Sequence, residues 1–178
     1  DGDFSPFALG HPLPAFVAKG AGRFETDAAW AALHATGQLT ASVDRLAVLR
    51  PELSAVGAVE LAADFDVVQH TNSLRIAHLA ATVTGAAPVL RLRALQDFEF
   101  NLSTGALRVA DPTQDLLEVF VQGLPLAWAQ PFLHDFSIAG DAVRGEFVAS
   151  ARDGGLALRA RRPLTIARLS LSRSGRPW

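Results

Sequence analysis

The sequence predicts a mainly β fold: a long, twisted antiparallel sheet, folded into a groove or an open sandwich, with one short helix near residues 124–133. Three observations predict it. Apolar and polar residues alternate with period two over long runs, which a helix would scatter around its circumference. Turn-forming clusters separate the runs. Between 124 and 133 alone an apolar spacing of four residues replaces the alternation. Alanine is abundant and favours helix by up to ~0.7 kcal/mol per residue. The pattern outweighs that propensity.

The opening segment, Asp1 to Pro14, carries Pro6, Pro12 and Pro14 and reads as a loop or edge segment, because each Pro lacks a ladder donor. Leu39, Ala41 and Val43 alternate with Gln38, Thr40 and Ser42. The phase then slips at Asp44-Arg45, which reads as a bulge or bend before Leu46 and Val48. The clearest strand is Ala58 to Val68, with Val59, Leu61, Ala63, Phe65 and Val67 on one face and Glu60, Asp64 and Asp66 on the other. Shorter runs follow at Leu74 and Ile76, Leu90 to Ala94, Phe98 to Leu102, Leu107 to Val109 and Leu117 to Val121, with Phe120 on the polar side of the last.

Ser103-Thr104-Gly105 reads as a hairpin connection, and Asp153-Gly154-Gly155 as another, between Phe147–Ala151 and Leu156–Ala160. Arg162-Pro163 is expected to end that strand and begin one from Leu164 to Ser172, giving a C-terminal meander over 138–172. Leu124, Trp128 and Phe132 share a helical face, so one or two turns of helix are expected, stopped at Pro131 and able to cover an open end or edge of the sheet. Gly22, Gly37, Gly57, Gly105 and Gly145 each precede an alternating run and read as turn glycines at irregular spacing, not as a solenoid period.

The chain has 178 residues, about half of them apolar, and reads as a single β domain over 1–178. It contains no Met and starts Asp1-Gly2-Asp3, so the expectation is a segment excised from a longer protein. A net charge of −2 argues against an electrostatic nucleic-acid footprint. With no Cys there is no disulfide framework, thiolate metal site or Cys nucleophile. Lys19 is the only lysine among sixteen basic residues, a bias a GC-rich genome explains.

Catalytic chemistry finds little support. His11, His34, His70, His78 and His134 hold no metal-ligand spacing, so no metal is assigned. His134, Asp135 and Ser137 are triad residue types at neighbouring positions, without a GxSxG elbow, and read as a polar turn. Asp64-Phe65-Asp66 has DxD form but reads as the wet side of a strand. No phosphate-cradling loop is present, and no cofactor is expected. Arg159, Arg161 and Arg162 form the densest basic patch. They read as a solvated face, with Arg159 and Arg161 as candidates for anionic headgroups.

The stretch from Leu124-Pro125-Leu126-Ala127-Trp128 to Phe132-Leu133, then Ile138 to Phe147, Leu156 to Ala160 and Pro163 to Ile166, resembles segments of AsmA-like envelope proteins of the TamB and YdbH types. These show a short apolar helix, a glycine-marked strand and a meander. The resemblance covers about fifty residues well. It implies no catalytic residues. It implies a twisted β groove with an apolar concave face in the periplasm, anchored in the inner membrane by a segment outside this chain. Lipid passage between membranes, or a role in outer-membrane assembly, goes with it.

Two functional readings therefore stand beside each other. In one, a non-enzymatic domain lays phospholipid acyl chains against its dry face, formed by Val59, Leu61, Phe65, Phe98, Phe100, Leu107, Val109, Phe147, Leu156, Leu158 and Ile166. In the other, a closed β-sandwich serves as a structural or protein-interaction module. An enzyme would need a polar constellation that the sequence does not display.

Overall fold

The structure is a computed structural model and describes residues 14–29, 31–133, 135–152, 154–173 and 176–177. The opening loop expected over Asp1 to Pro14 lies outside the described residues except for Pro14. In chain order the strands are β1 (Ala15–Thr26), β2 (Ala32–Asp44), β3 (Val59–His70), β4 (Ser73–Thr84), β5 (Pro88–Ala94), β6 (Phe98–Asn101) and β7 (Leu107–Val109). They continue as β8 (Asp115–Leu124), β9 (Phe136–Ala139), β10 (Val143–Arg152), β11 (Gly155–Thr165), β12 (Ser170–Arg173) and β13 (Arg176–Pro177).

The mainly β expectation holds. Ten strands form one antiparallel sheet, not closed into a barrel, whose main path runs β1-β2-β3-β4-β5-β8-β10-β11. A small second sheet runs β13-β12-β9.

The main sheet forks at β4. The Ala80–Thr84 half of β4 pairs with β5, and the Ser73–Ile76 half pairs with β6, which carries β7 on its far side. The β6–β7 hairpin forms as expected at Ser103-Thr104-Gly105. Asn101 Oδ1 accepts the backbone N–H groups of Ser103 (3.0 Å) and Thr104 (2.9 Å), and Gly105 takes φ +71, open to a residue without Cβ. This hairpin is a flap. Leu107 N–H at its far side donates to Gly154 O at the β10–β11 turn, 3.0 Å away. Phe98, Leu107 and Leu116 are buried against one another there, with Ile76, Ala94, Leu117 and Ala151 packed around them. The core therefore sits at the fork.

Four local expectations change or sharpen. Of the bulge or bend read at Asp44-Arg45, the structure has the bend, at the end of β2: Arg45 is left-handed (φ 57), and Leu46–Val48 and Pro51–Ala55 are single 3-10 turns. The expected helix is also two 3-10 turns, Leu126–Trp128 and Gln130–Phe132. Pro131 opens the second turn, where its missing N–H removes no bond, instead of ending a helix. Pro163 does not end β11, because it falls in an edge strand at a register irregularity, where no ladder bond is lost. The third meander strand consequently does not form from Leu164. The chain turns at Arg168 (φ 54), and β12 pairs with β9 in the second sheet.

Gly22, Gly37 and Gly145 are not turn residues either. Gly145 lies within β10, and Gly22 and Gly37 oppose each other in mid-strand across β1 and β2. A Cβ on Gly37 would lie 2.5 Å from Ala21 O and 2.7 Å from Gly22 Cα, so only glycine allows this approach.

Candidate functional site: one dry sheet face

Register turns the alternation of single strands into two continuous surfaces. Because paired residues project to the same side, one row crosses the main sheet as Gly20, Leu39, Ala63, Ala81, Leu92, Val119, Phe147 and Ala160. A second runs Ala18, Ala41, Leu61, Val83, Leu90, Val121 and Gly145. Every residue in both rows is apolar. The rows stay in phase along β4 because its register shifts opposite Asp66 and Val67, where Leu74 and Ile76 give way to Leu79, Ala81 and Val83.

The dry face is covered unevenly. Under the flap, Leu116 is fully buried and Phe98 is 4% exposed. Phe16, Leu39 and Leu61 are exposed on β1–β3, and Phe24 is 72% exposed. Leu156 is exposed on β11, and Leu158 is 74% exposed. Of the sequence-derived candidates, Leu61, Leu156 and Leu158 are exposed on this face, and Val59, Phe65 and Phe147 are half-buried on it. Phe98 and Leu107 are covered by protein, with Phe100 and Val109 half-buried beside them. Ile166 lies just past the end of β11 and on no strand.

At one end of the strands two insertions meet. Residues 45–58 leave β2 and residues 125–142 leave β8, and their 3-10 turns touch each other. Trp128 packs at the β4–β5 turn, so close to Gly85 that a Cβ there would sit 3.1 Å from the indole. The 124–133 element thus lies at an end of the sheet, as anticipated.

The opposite face is polar and internally paired. Glu118 is only 5% exposed, held by Arg93 Nη2 (2.9 Å) and Arg161 Nη1 (3.0 Å). Arg161 also donates to Asp115 (2.9 Å), with Arg159 beside it on the same carboxylate (3.4 Å) and Arg162 on Glu146 (3.7 Å). The Asp115 carboxylate raises the Arg161 guanidinium above its usual range. Burial opposes this, and Glu146 and Glu118 add to it. Arg159 and Arg161 therefore stand on the face away from Leu156 and Leu158, their charge matched by carboxylates. Phe120, the apolar residue out of phase in β8, is covered by the Arg91 guanidinium, 4.4 Å from the ring centroid.

Asp64 and Asp66 lie on this wet face, as read from the alternation, and meet His78 (3.3 Å) and His34 (2.8 Å), with Gln38 donating to Asp64 (3.0 Å). Among the described residues no group of three or more His, Asp or Glu is placed to hold a metal ion. His11, His134 and the His134-Asp135-Ser137 reading lie outside the described residues in whole or in part. No helix among the described residues is long and apolar enough to cross a membrane. The sequence reading missed the buried Glu118 cluster and the part of β1 before Gly22. A signal for the first was Phe120 sitting out of phase beside Glu118.

Comparison of the chain with protein-family models, curated proteins and solved structures finds no match.

Proposed function

We propose that this chain is a non-enzymatic periplasmic β domain of an AsmA-like envelope protein, inner-membrane anchored in the full-length protein, that holds phospholipid acyl chains in lipid transport between membranes or in outer-membrane assembly. One observation carries the reading: unbroken apolar rows cross the main sheet and stay uncovered over β1–β3 and β11. A dry sheet face needs a second layer or a ligand, and contiguous exposed apolar surface of this kind marks interaction sites. Headgroup contact by Arg159 and Arg161 is not part of the proposal, since both project from the other face into ion pairs. The test is native mass spectrometry and lipid extraction of the purified chain. Co-purified phospholipid, reduced by Leu61→Asp, is the expected result. Lipid-free protein that also fails to bind a hydrophobic dye overturns the proposal.

The second reading, a protein-interaction module, is favoured by a different feature. β1 pairs only with β2, so its outer edge faces no other strand among the described residues. The closed-sandwich form of that reading lacks a covering layer over Phe24, Leu39 and Leu61.

A further inference from the structure

The two long edges of the main sheet are built differently. β11 is blocked: it contains Pro163, its pairing with β10 is irregular, and Arg159, Arg161 and Arg162 crowd its polar side. Between Ala18 and Thr26, β1 has no Pro and pairs with β2 without irregularity, and its charges are of both signs: Lys19, and Arg23 paired with Glu25 (2.9 Å). Its free hydrogen-bonding groups follow from the turns beside it. Asp27 N–H donates to Ala32 O (3.4 Å) and Thr71 N–H to Ala31 O (3.0 Å), so odd-numbered β1 residues bond towards β2 and even-numbered ones face outward. Among the described residues, Ala18, Gly20, Gly22, Phe24 and Thr26 therefore present an unpaired ladder.

We infer that this edge pairs with the same edge of a second copy of the chain, antiparallel and two-fold symmetric about Gly22. The blocked β11 edge closes the head-to-tail route from one long edge of the main sheet to the other, and an isologous contact closes on itself. To keep the dry faces of both copies on one side, paired residues must share parity. Pairing about Gly22 meets that condition and sets Lys19 opposite Glu25 of the second copy, twice, in the non-hydrogen-bonded pairs where side chains come closest. It also sets Gly20 opposite Phe24 of the second copy, so the exposed ring covers backbone that glycine leaves bare. The neighbouring registers are worse: pairing about Ala21 opposes Lys19 to Arg23, and pairing about Gly20 sets Glu25 opposite Ala15 and Lys19 opposite Ala21, so that no opposite-charge pair forms. The consequence is one apolar face continuous across two copies. The inference rests on the edge and its charges, not on the lipid reading.

The test is sedimentation velocity of the full 178-residue chain over a concentration series. A reversible monomer–dimer equilibrium is expected. Lys19→Glu and Glu25→Lys each raise the dimer Kd by about tenfold, and the double variant Lys19→Glu/Glu25→Lys restores it. Both sites are exposed strand-edge positions, and an unchanged urea midpoint verifies that each variant folds. A monomer at every concentration overturns the inference, as do open oligomers or a dimer indifferent to both reversals. A dimer that vanishes on delipidation and ignores the reversals associates through the dry face and overturns it too.

Discussion

The N-terminal wing, β1–β3, and the wrapped half, β4–β8 with β10, share one alternation and one apolar face, yet they differ in what covers that face. Phe24 on the wing is 72% exposed, whereas Leu116 in the wrapped half is fully buried. The difference comes from the fork at β4. There the β6–β7 flap leaves the sheet, crosses the ends of β5 and β8, and touches the β10–β11 turn. The wing has no such flap among the described residues. Period-two patterning thus sets which side is dry, and only a distant segment decides whether that side is closed.

The largest test of the contrast is truncation on each side. Leu116→Ala opens a cavity in the only buried cluster of the main sheet described and is expected to cost about 2–5 kcal/mol. Phe24→Ala removes a side chain already in water and is expected to stay within about 0.5 kcal/mol for the monomer. Urea denaturation of both variants at low protein concentration checks this. Equal costs would mean that the wing packs as tightly as the wrapped half.

Next in size is Gly37→Ala. Its Cβ meets backbone atoms, not a flexible side chain, so β1 must move away from β2. A cost of about 1–3 kcal/mol is expected, on the scale of overpacking. Amide exchange should rise along β1 and stay unchanged in β8 and β10, and uniform acceleration across the sheet would contradict the separation of wing and wrapped half.

A third, smaller effect probes the polar side of the wrapped half. Glu118→Ala removes the acceptor shared by Arg93 and Arg161. Both guanidinium groups are substantially exposed and can rehydrate, and Arg161 keeps Asp115. The expected loss is about 1–2 kcal/mol, below the ~3–5 of breaking a fully buried pair. Thermal or urea unfolding at two salt concentrations measures it.

These contrasts explain what the sequence made legible. Val59 to Val67 could be read as one face because a strand's side-chain period is local, and β3 forms there. Phe98 and Leu107 looked the same as Leu61 and Leu158, since alternation carries no information about a flap arriving from elsewhere. Glu118 looked solvated for the same reason: its partners come from β5 and β11, 25 and 43 positions away. β1 was read only as a short run after Gly22, because Lys19, Gly20 and Gly22 dilute the pattern before Phe24. The 124–133 element was seen but given the wrong helix type, because the four-residue spacing outweighed the two prolines that favour separate 3-10 turns.

The smallest effect concerns how the chain returns from the flap to β8. Asp111 organises that turn: its Oδ1 accepts Thr113 N–H (2.9 Å) and Thr113 Oγ1–H (2.6 Å), and its Oδ2 accepts Gln114 Nε2 (2.8 Å). Gln96 fastens the same turn through Asp111 O (2.9 Å) and Asp111 N–H (3.2 Å). The Thr113 hydroxyl first, and then its amide, hold the Asp111 carboxyl below its ordinary value of 3.8, against a smaller effect of burial. A carboxylate with a depressed folded pKa adds stability that is complete well above the unfolded value, and this stability is lost as pH falls through the folded one. The turn should therefore be indifferent to pH near neutrality and loosen only in acid, below the usual aspartate midpoint. The Thr113 amide resonance followed by NMR should titrate below pH 3.8, and Asp111→Asn should abolish the titration. A midpoint at or above the ordinary value would show that these hydrogen bonds do not hold the carboxylate, and that Gln96 alone fixes the return from the flap.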